Sequence, residues 1–324
     1  MSSRGDTAEA LRFTTELARH VEQWGYRRIW VAEHHNMPAI ASSAPAVLVA
    51  HLAAATRTIR VGSGGVMLPN HAPLVVAEQF GILESLHPGR IDLGIGRAPG
   101  TDQRTALALR RTVDGLSAED FPRELTDLIA MLAGDESRLR AVPTADGLPQ
   151  IWLLGSSGYS AQLAGMLGLP FCFAHHFAAV NTEPALALYR ANFRPSQWLD
   201  GPYSMVAVNV VCADTDSRAE YLAKPGLLSF LRLRAGRPIA LPTPEEAARY
   251  KFSAEELAFV EQRKIGQALG SPKTVQAQLT ELIRRTAPDE LMVTHQIYDL
   301  PDRLRSYELL AGMELPAVPA NPAA

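Results

Sequence analysis

Cysteine is scarce. The chain has 324 residues and two cysteines, Cys172 and Cys212, set apart in apolar runs. That excludes a disulfide framework and reads as two small core residues in a reducing compartment. An excess of either charge is also missing: 31 Lys and Arg face 34 Asp and Glu, for a net charge of −3. With no basic stripe or block, nucleic acid is excluded as the expected partner. No apolar run approaches the roughly 20 residues that a membrane-spanning helix needs. The opening MSSRGDTAEALRFTTEL has no apolar core of a secretory leader, so the expected location is the cytoplasm. Short repeats, low-complexity blocks, an H-E-x-x-H helix and a Walker lysine are absent as well.

What is present is a rhythm. Hydrophobic residues make up 47% of the chain, enough for a large α/β core. Asp6 and Glu9 open a first helix in the manner of a capping box. Ala10, Thr14, Leu17, Val21 and Trp24 follow at helical spacing, and Gly25 stops it. Then β-rich runs alternate with helical ones. The strands are RRIWVAEHH, TIRVGSGGVML, RIDLGIGRAP, QIWLLGSS, LPFCFAHHF, SMVAVNVVCAD and DELMVTHQIYD. Between Thr215 and Gly270 only helices are expected, with Pro244 just inside one start and Ser253 and Glu256 forming a capping box at another.

Strands alternating with helices imply parallel strands joined by crossovers. Length and alternation suit a (β/α)8 TIM barrel, with the helical stretch at about 215–270 inserted before the last strand. A doubly wound sheet is the rival architecture. The polar motifs EHHN, GRAPGTD, GSSGYS and AHHF all fall at the C-terminal ends of strands, where barrel sites lie. Only Met1 to Gly5 precede the first helix, so the barrel is expected to lack its first strand. The expected organisation is one domain over 1–312 and a disordered Pro/Ala-rich tail over 313–324.

Each motif carries two readings. His34 and His35 are adjacent, and adjacent strand residues point to opposite faces, which disfavours joint metal ligation. A histidine at a strand end can instead move a proton near neutrality, or simply be hydrogen-bonded at the rim. The pair His175 and His176 repeats the pattern. Gly64 and Gly65 lie in a glycine-rich strand, which marks either close approach of a flat ligand to the main chain or a bulge. Ser156, Ser157, Gly158, Tyr159 and Ser160 run from a strand through a Gly/Ser loop into a helix. They form either an anion site for a phosphate or a capped helix with no ligand. The loop departs from the G-x-S-x-G elbow, because Gly158 directly follows Ser157. Arg97, just past a strand, is an anion ligand or a rim ion pair. Arg232, Arg234 and Arg237 form a solvated helix face or, on the sharper reading, part of a substrate lid.

Taken in order, AEHHN, then IRVGSGGVMLPNHAPLVVAEQFGILESLHPGRIDLGIGRAPGTD, then WLLGSSGYSAQLAGMLGLPF, then GSP and DELMV resemble the bacterial luciferase-like monooxygenase family, and within it the single-chain flavin oxidoreductases. The resemblance runs from Asp6 to Gly312. It implies a (β/α)8 barrel with an insertion before the last strand, and reduced FMN, or in some branches F420, at the C-terminal mouth. It also implies O2 and a small organic molecule as substrates, a separate flavin reductase as partner, and a homodimer. His34 matches the histidine taken to assist flavin–oxygen chemistry. Gly64 and Gly65 match the cis peptide behind the flavin ring, Arg97 an arginine near the flavin phosphate, and Ser156 to Ser160 the phosphate loop. The chain has Gly96 where luciferase carries a reactive cysteine, so light emission is not implied, and its 134–142 segment is shortened. The expected function is therefore a flavin-dependent monooxygenase. F420-dependent hydride transfer is the alternative, and a non-catalytic flavin-binding protein is a third reading.

Overall fold

The structure is a computed structural model. It describes residues 6–98, 101–110, 119–134, 139–143 and 147–316. The tail from 317 onward, Met1 to Gly5, Pro99, Gly100 and part of the shortened 134–142 segment lie outside the described residues. The chain forms two compact units, one of Met1–Trp24, Pro38–Ala41 and Ser156–Ala324, the other of Gly25–Met37 and Ser42–Gly155.

Helix α1 (Thr7–Gln23) opens the chain, and the Asp6 carboxylate accepts the Glu9 N–H at 2.6 Å. The second unit then alternates β1 (Arg28–Val31), α2 (Pro45–Ala55), β2 (Arg60–Met67), α3 (Pro73–Leu86), β3 (Ile91–Gly96), α4 (Gln103–Arg110), α5 (Phe121–Leu132) and β4 (Gln150–Gly155). The four strands pair in parallel in chain order. All six residues of β3 are buried. A parallel strand buried on both faces reads as a continuous apolar run rather than an alternating one.

The first unit continues with α6 (Gly158–Leu167), β5 (Phe171–Phe173), α7 (His175–Ala178), α8 (Thr182–Asn192), β6 (Ser204–Cys212), α9 (Asp216–Arg234), α10 (Pro244–Arg249), α11 (Ala254–Lys264), β7 (Gln267–Gly270), α12 (Pro272–Thr286), β8 (Glu290–Thr294) and α13 (Leu300–Ala311). Strand β6 is its spine. Its nine residues are all buried, and it pairs in parallel with β5, β7 and β8.

Proline sets many of the helix starts. It occupies the first turn of α2, α3, α5, α10, α12 and α13, where its missing N–H would be unpaired in any case. The expected capping box at Ser253 and Glu256 is present, and Thr243 with Glu246 forms another. Replacing Ser253 with alanine is expected to cost about 1 kcal/mol. An unshifted thermal midpoint for that variant would mean that α11 does not depend on its cap.

Two expectations need correction. The stretch 215–270 is not helical throughout, because Gln267–Gly270 forms β7 against Asn209–Cys212. The described chain thus has eight strands, not seven. The AHHF motif is also not strand. Strand β5 ends at Phe173, and His175–Ala178 make one helical turn. The argument that adjacent residues face oppositely along a strand therefore does not apply to His175 and His176, nor to His34 and His35, which lie beyond the end of β1 at Val31.

Candidate functional site

In the unit built on β1–β4, the chain leaving β1 is organised by Glu33. Its side chain has no solvent exposure. It accepts hydrogen bonds from the Met67 N–H at 2.9 Å, Asn70 Nδ2 at 3.0 Å, His71 Nε2 at 2.9 Å and His35 Nε2 at 2.9 Å. A carboxylate can only accept, so both imidazoles carry hydrogen on Nε2. Burial pushes the Glu33 pKa up. The hydrogen bonds from His71 and Asn70, the His71 charge and the bond from His35 outweigh it, and the net direction is downward. Glu33 and His35 thus brace this corner. Asn70 and His71 were not singled out from the sequence. Their signal was a polar pair between prolines, PNHAP, directly after a strand.

His34 is half-buried, and its main-chain N–H donates to the Ser42 carbonyl at 2.9 Å, while the Ser42 hydroxyl returns to the Ala32 carbonyl. The His35 ring is held by Glu33. Among the described residues, no three His, Cys, Asp or Glu side chains gather as a metal site. Asn36, at a φ of 55°, reaches Thr105 Oγ1 at 3.1 Å, and the Thr101 hydroxyl donates to the His35 carbonyl at 2.8 Å. Asp102 accepts from the Thr105 hydroxyl at 2.7 Å and from its N–H at 3.0 Å, which caps α4 and holds the Asp102 carboxyl down at about 2.

The Gly64–Gly65 peptide is cis, the geometry implied by the resemblance. A Cβ on Gly64 would sit 2.9 Å from the Trp30 ring, and one on Gly65 would sit 2.8 Å from the Gly94 carbonyl oxygen. Pairing with β3 also shifts register between Ser63 and Val66. The bulge reading of this strand is observed, and both glycines make room for neighbouring protein groups, Trp30 and Gly94. Arg97 follows β3 directly and is half-buried.

In the other unit, Ser157 is the N-cap of the ten-residue helix α6, but its side chain makes no capping hydrogen bond. Ser156 and Tyr159 are exposed, and Ser160 is buried. The opening turn thus presents main-chain N–H groups and a serine hydroxyl without a side-chain cap, a donor set whose chemistry fits a phosphate. His175 Nδ1 lies 2.7 Å from Thr182 Oγ1, and His176 Nδ1 donates to the Ala207 carbonyl at 2.8 Å. Burial, followed by the Arg285 charge for His175, lowers both to about 4 and keeps both neutral at pH 7. His295, just past β8, was also not singled out. Its two ring nitrogens are shielded from solvent with no hydrogen-bond partner among the described residues, and burial holds it at about 3.

The sequence model of the luciferase-like monooxygenase family matches residues 1–290. A luciferase-like monooxygenase of Escherichia coli K12 is 48% identical over 93% of this chain and 90% of its own length. N-acetyl-S-alkylcysteine monooxygenase of Bacillus subtilis 168 is 34% identical over 97% and 95%. Among solved structures, apo-MsnO8 superposes with a TM-score of 0.86 at 38% identity, covering 96% of this chain and 94% of that one. More remote structures share the fold. The FMN-bound oxygenating constituent of 3,6-diketocamphane monooxygenase from Pseudomonas putida has a TM-score of 0.69 at 20% identity, covering 98% and 97%. An F420-dependent secondary alcohol dehydrogenase has 0.68 at 14%, covering 94% and 96%. Among the described residues, no helix is long and apolar enough to cross a membrane. The chain belongs to the luciferase-like monooxygenase family, and it is an enzyme of the monooxygenase kind.

Proposed function

We propose that the protein uses reduced FMN, delivered by a separate reductase, and O2 to oxygenate a small organic substrate. The observation that carries this reading is the start of α6, a helix N-terminus left without a side-chain cap directly after a parallel strand. When bound, reduced FMN supplies the electrons that oxygen activation requires. The main-chain N–H groups of Gly158, Tyr159 and Ser160, with the hydroxyls of Ser156 and Ser157, hold the flavin phosphate, and the helix dipole favours its negative charge. Arg97 adds a fixed positive charge for an anionic group. The main chain at Gly64 and Gly65 is the surface against which the ring lies. His34 serves as hydrogen-bond donor or base beside the reacting atoms, held at the exit of β1 by its N–H bond to Ser42.

F420-dependent hydride transfer is the second reading, because F420 also carries a phosphate and the same helix start suits it. Anaerobic titration with reduced FMN and with reduced F420, followed by oxygen uptake, separates the two. Saturable FMN binding and flavin-dependent oxygen consumption are expected, whereas tight F420 binding without FMN binding would overturn the first reading. Riboflavin, which lacks the phosphate, is expected to bind at least about tenfold more weakly than FMN. His34→Ala is expected to lower coupled oxygenation by about 100-fold with flavin affinity little changed. Equal turnover in that variant would remove His34 from the chemistry.

A further inference from the structure

Within the unit that carries α6, the turn after β5 and the helices α9 and α11 wall a cavity of about 270 Å³. Much of its lining is apolar and aromatic. Phe230 and Phe259 stack with ring centroids 5.8 Å apart and planes 8° from parallel, and Phe177 is 62% exposed. The volume lies just below the range for small-molecule sites, roughly 300–1,000 Å³.

One cation in this wall lacks a counter-charge. Arg263 lies with its guanidinium carbon 3.7 Å from the Phe230 ring centroid. Its Nη1 donates to the His176 carbonyl oxygen, while its Nε is buried and has no hydrogen-bond partner among the described residues. Among the described residues, no carboxylate pairs with it. The contrast with Arg28 is direct, since that buried guanidinium is held by Asp92 at 2.6 Å. Burying an unpaired charge is costly, and this burial lowers the Arg263 pKa to about 10. The cost is recovered when an anion enters. A planar fork of N–H donors suits a carboxylate, and the aromatic wall suits an apolar body attached to it. His176, whose Nδ1 hydrogen is used on Ala207, leaves Nε2 as an acceptor. The exposed Arg234 lines the same cavity and adds positive potential.

We infer that this cavity seats a small organic carboxylate, with its carboxylate on Arg263 and its apolar body among Phe177, Phe230 and Phe259. That the bound molecule is the one oxygenated rests on the flavin-monooxygenase reading; its seat does not.

The test is calorimetric titration of the full chain, without flavin, with phenylacetate and with its neutral counterpart phenylacetamide. Phenylacetate is expected to bind saturably and at least about tenfold more tightly than the amide. Arg263→Met is expected to abolish that preference and Arg263→Lys to keep part of it, with the fold of each checked by circular dichroism. Absence of saturable phenylacetate binding, equal affinity for the two probes, or an unchanged preference in folded Arg263→Met would each overturn the inference. The wild-type comparison decides the matter even if the methionine variant does not fold. No step depends on flavin, so failure here leaves the monooxygenase reading intact, and failure of FMN binding leaves this one intact.

Discussion

Asp92→Ala is expected to destabilise the protein by about 3–5 kcal/mol, the range seen when one partner is removed from a buried charge network. The Asp92 side chain is fully buried at the second position of β3. It accepts from Arg28 Nη1 at 2.6 Å, Arg60 Nε at 2.8 Å and Trp30 Nε1 at 2.8 Å. Arg28 opens β1 and Arg60 opens β2, so the carboxylate ties three neighbouring strands together at their N-terminal ends. Removing it leaves the Arg28 side chain, only 3% exposed, without its counter-charge, and leaves the Trp30 indole N–H unpaired. The Arg28 guanidinium also stacks over Trp152 at 4.9 Å, which compensates little for a missing carboxylate. Urea unfolding of wild type, Asp92→Ala, Arg28→Met and the double variant measures the coupling. The sum of the two single costs should exceed the cost of the double, because the Arg28–Asp92 pair is lost in each single variant and counted only once in the double. A cost below about 1 kcal/mol for Asp92→Ala would show that the network is slack. Parallel α/β folds place their chemistry at the opposite, C-terminal ends of the strands. Flavin binding by the folded fraction should therefore be unaffected, which separates this variant from one that damages the site.

The alternation of strands and helices was legible because buried parallel strands appear as short apolar runs and because proline and capping residues mark helix starts. The pair Ser253 and Glu256 is an example in which four consecutive residues mark a helix start. Strand β7 was not legible. Gln267-Ala-Leu-Gly270 contains no β-branched or aromatic residue, and its pairing with β6 is decided by residues about 60 positions away. The helical turn at His175 was missed for a similar reason, since an apolar run followed by two histidines carries no periodicity that separates strand from helix. Within the candidate site, strand-end placement of the polar motifs could be read directly. Convergence could not. Glu33 meets His71 across 38 positions, and Arg263 meets the His176 carbonyl across 87. Such contacts depend on register and packing, and one sequence does not display either.

Glu33→Gln is expected to remove a pH dependence as well as stability. The wild-type carboxylate is held below its ordinary 4.5 in the folded chain despite burial, because His71, Asn70 and His35 donate to it. Folding therefore favours the ionised form. Its stabilisation is fully present above pH 4.5 and is lost as the pH falls from there through the lower folded-state pKa. Thermal midpoints measured from pH 7 downward should decline in that acid window for wild type, and the decline should be shallower in Glu33→Gln. At neutral pH the variant should already be less stable by about 3 kcal/mol, since hydrogen bonds to a charged acceptor contribute roughly 1.5–3 kcal/mol and an amide donor cannot satisfy two imidazole N–H groups and a main-chain N–H together. The loss should extend to function if the site is read correctly. The loop that presents His34 is held on one side by Ser42 and on the other by the bond from His35 to Glu33. Freeing His35 loosens the neighbour of the proposed proton-handling group, so oxygen uptake should fall further than flavin affinity. An identical acid slope in wild type and Glu33→Gln would assign the pH dependence to other carboxylates and reduce Glu33 to a packing role.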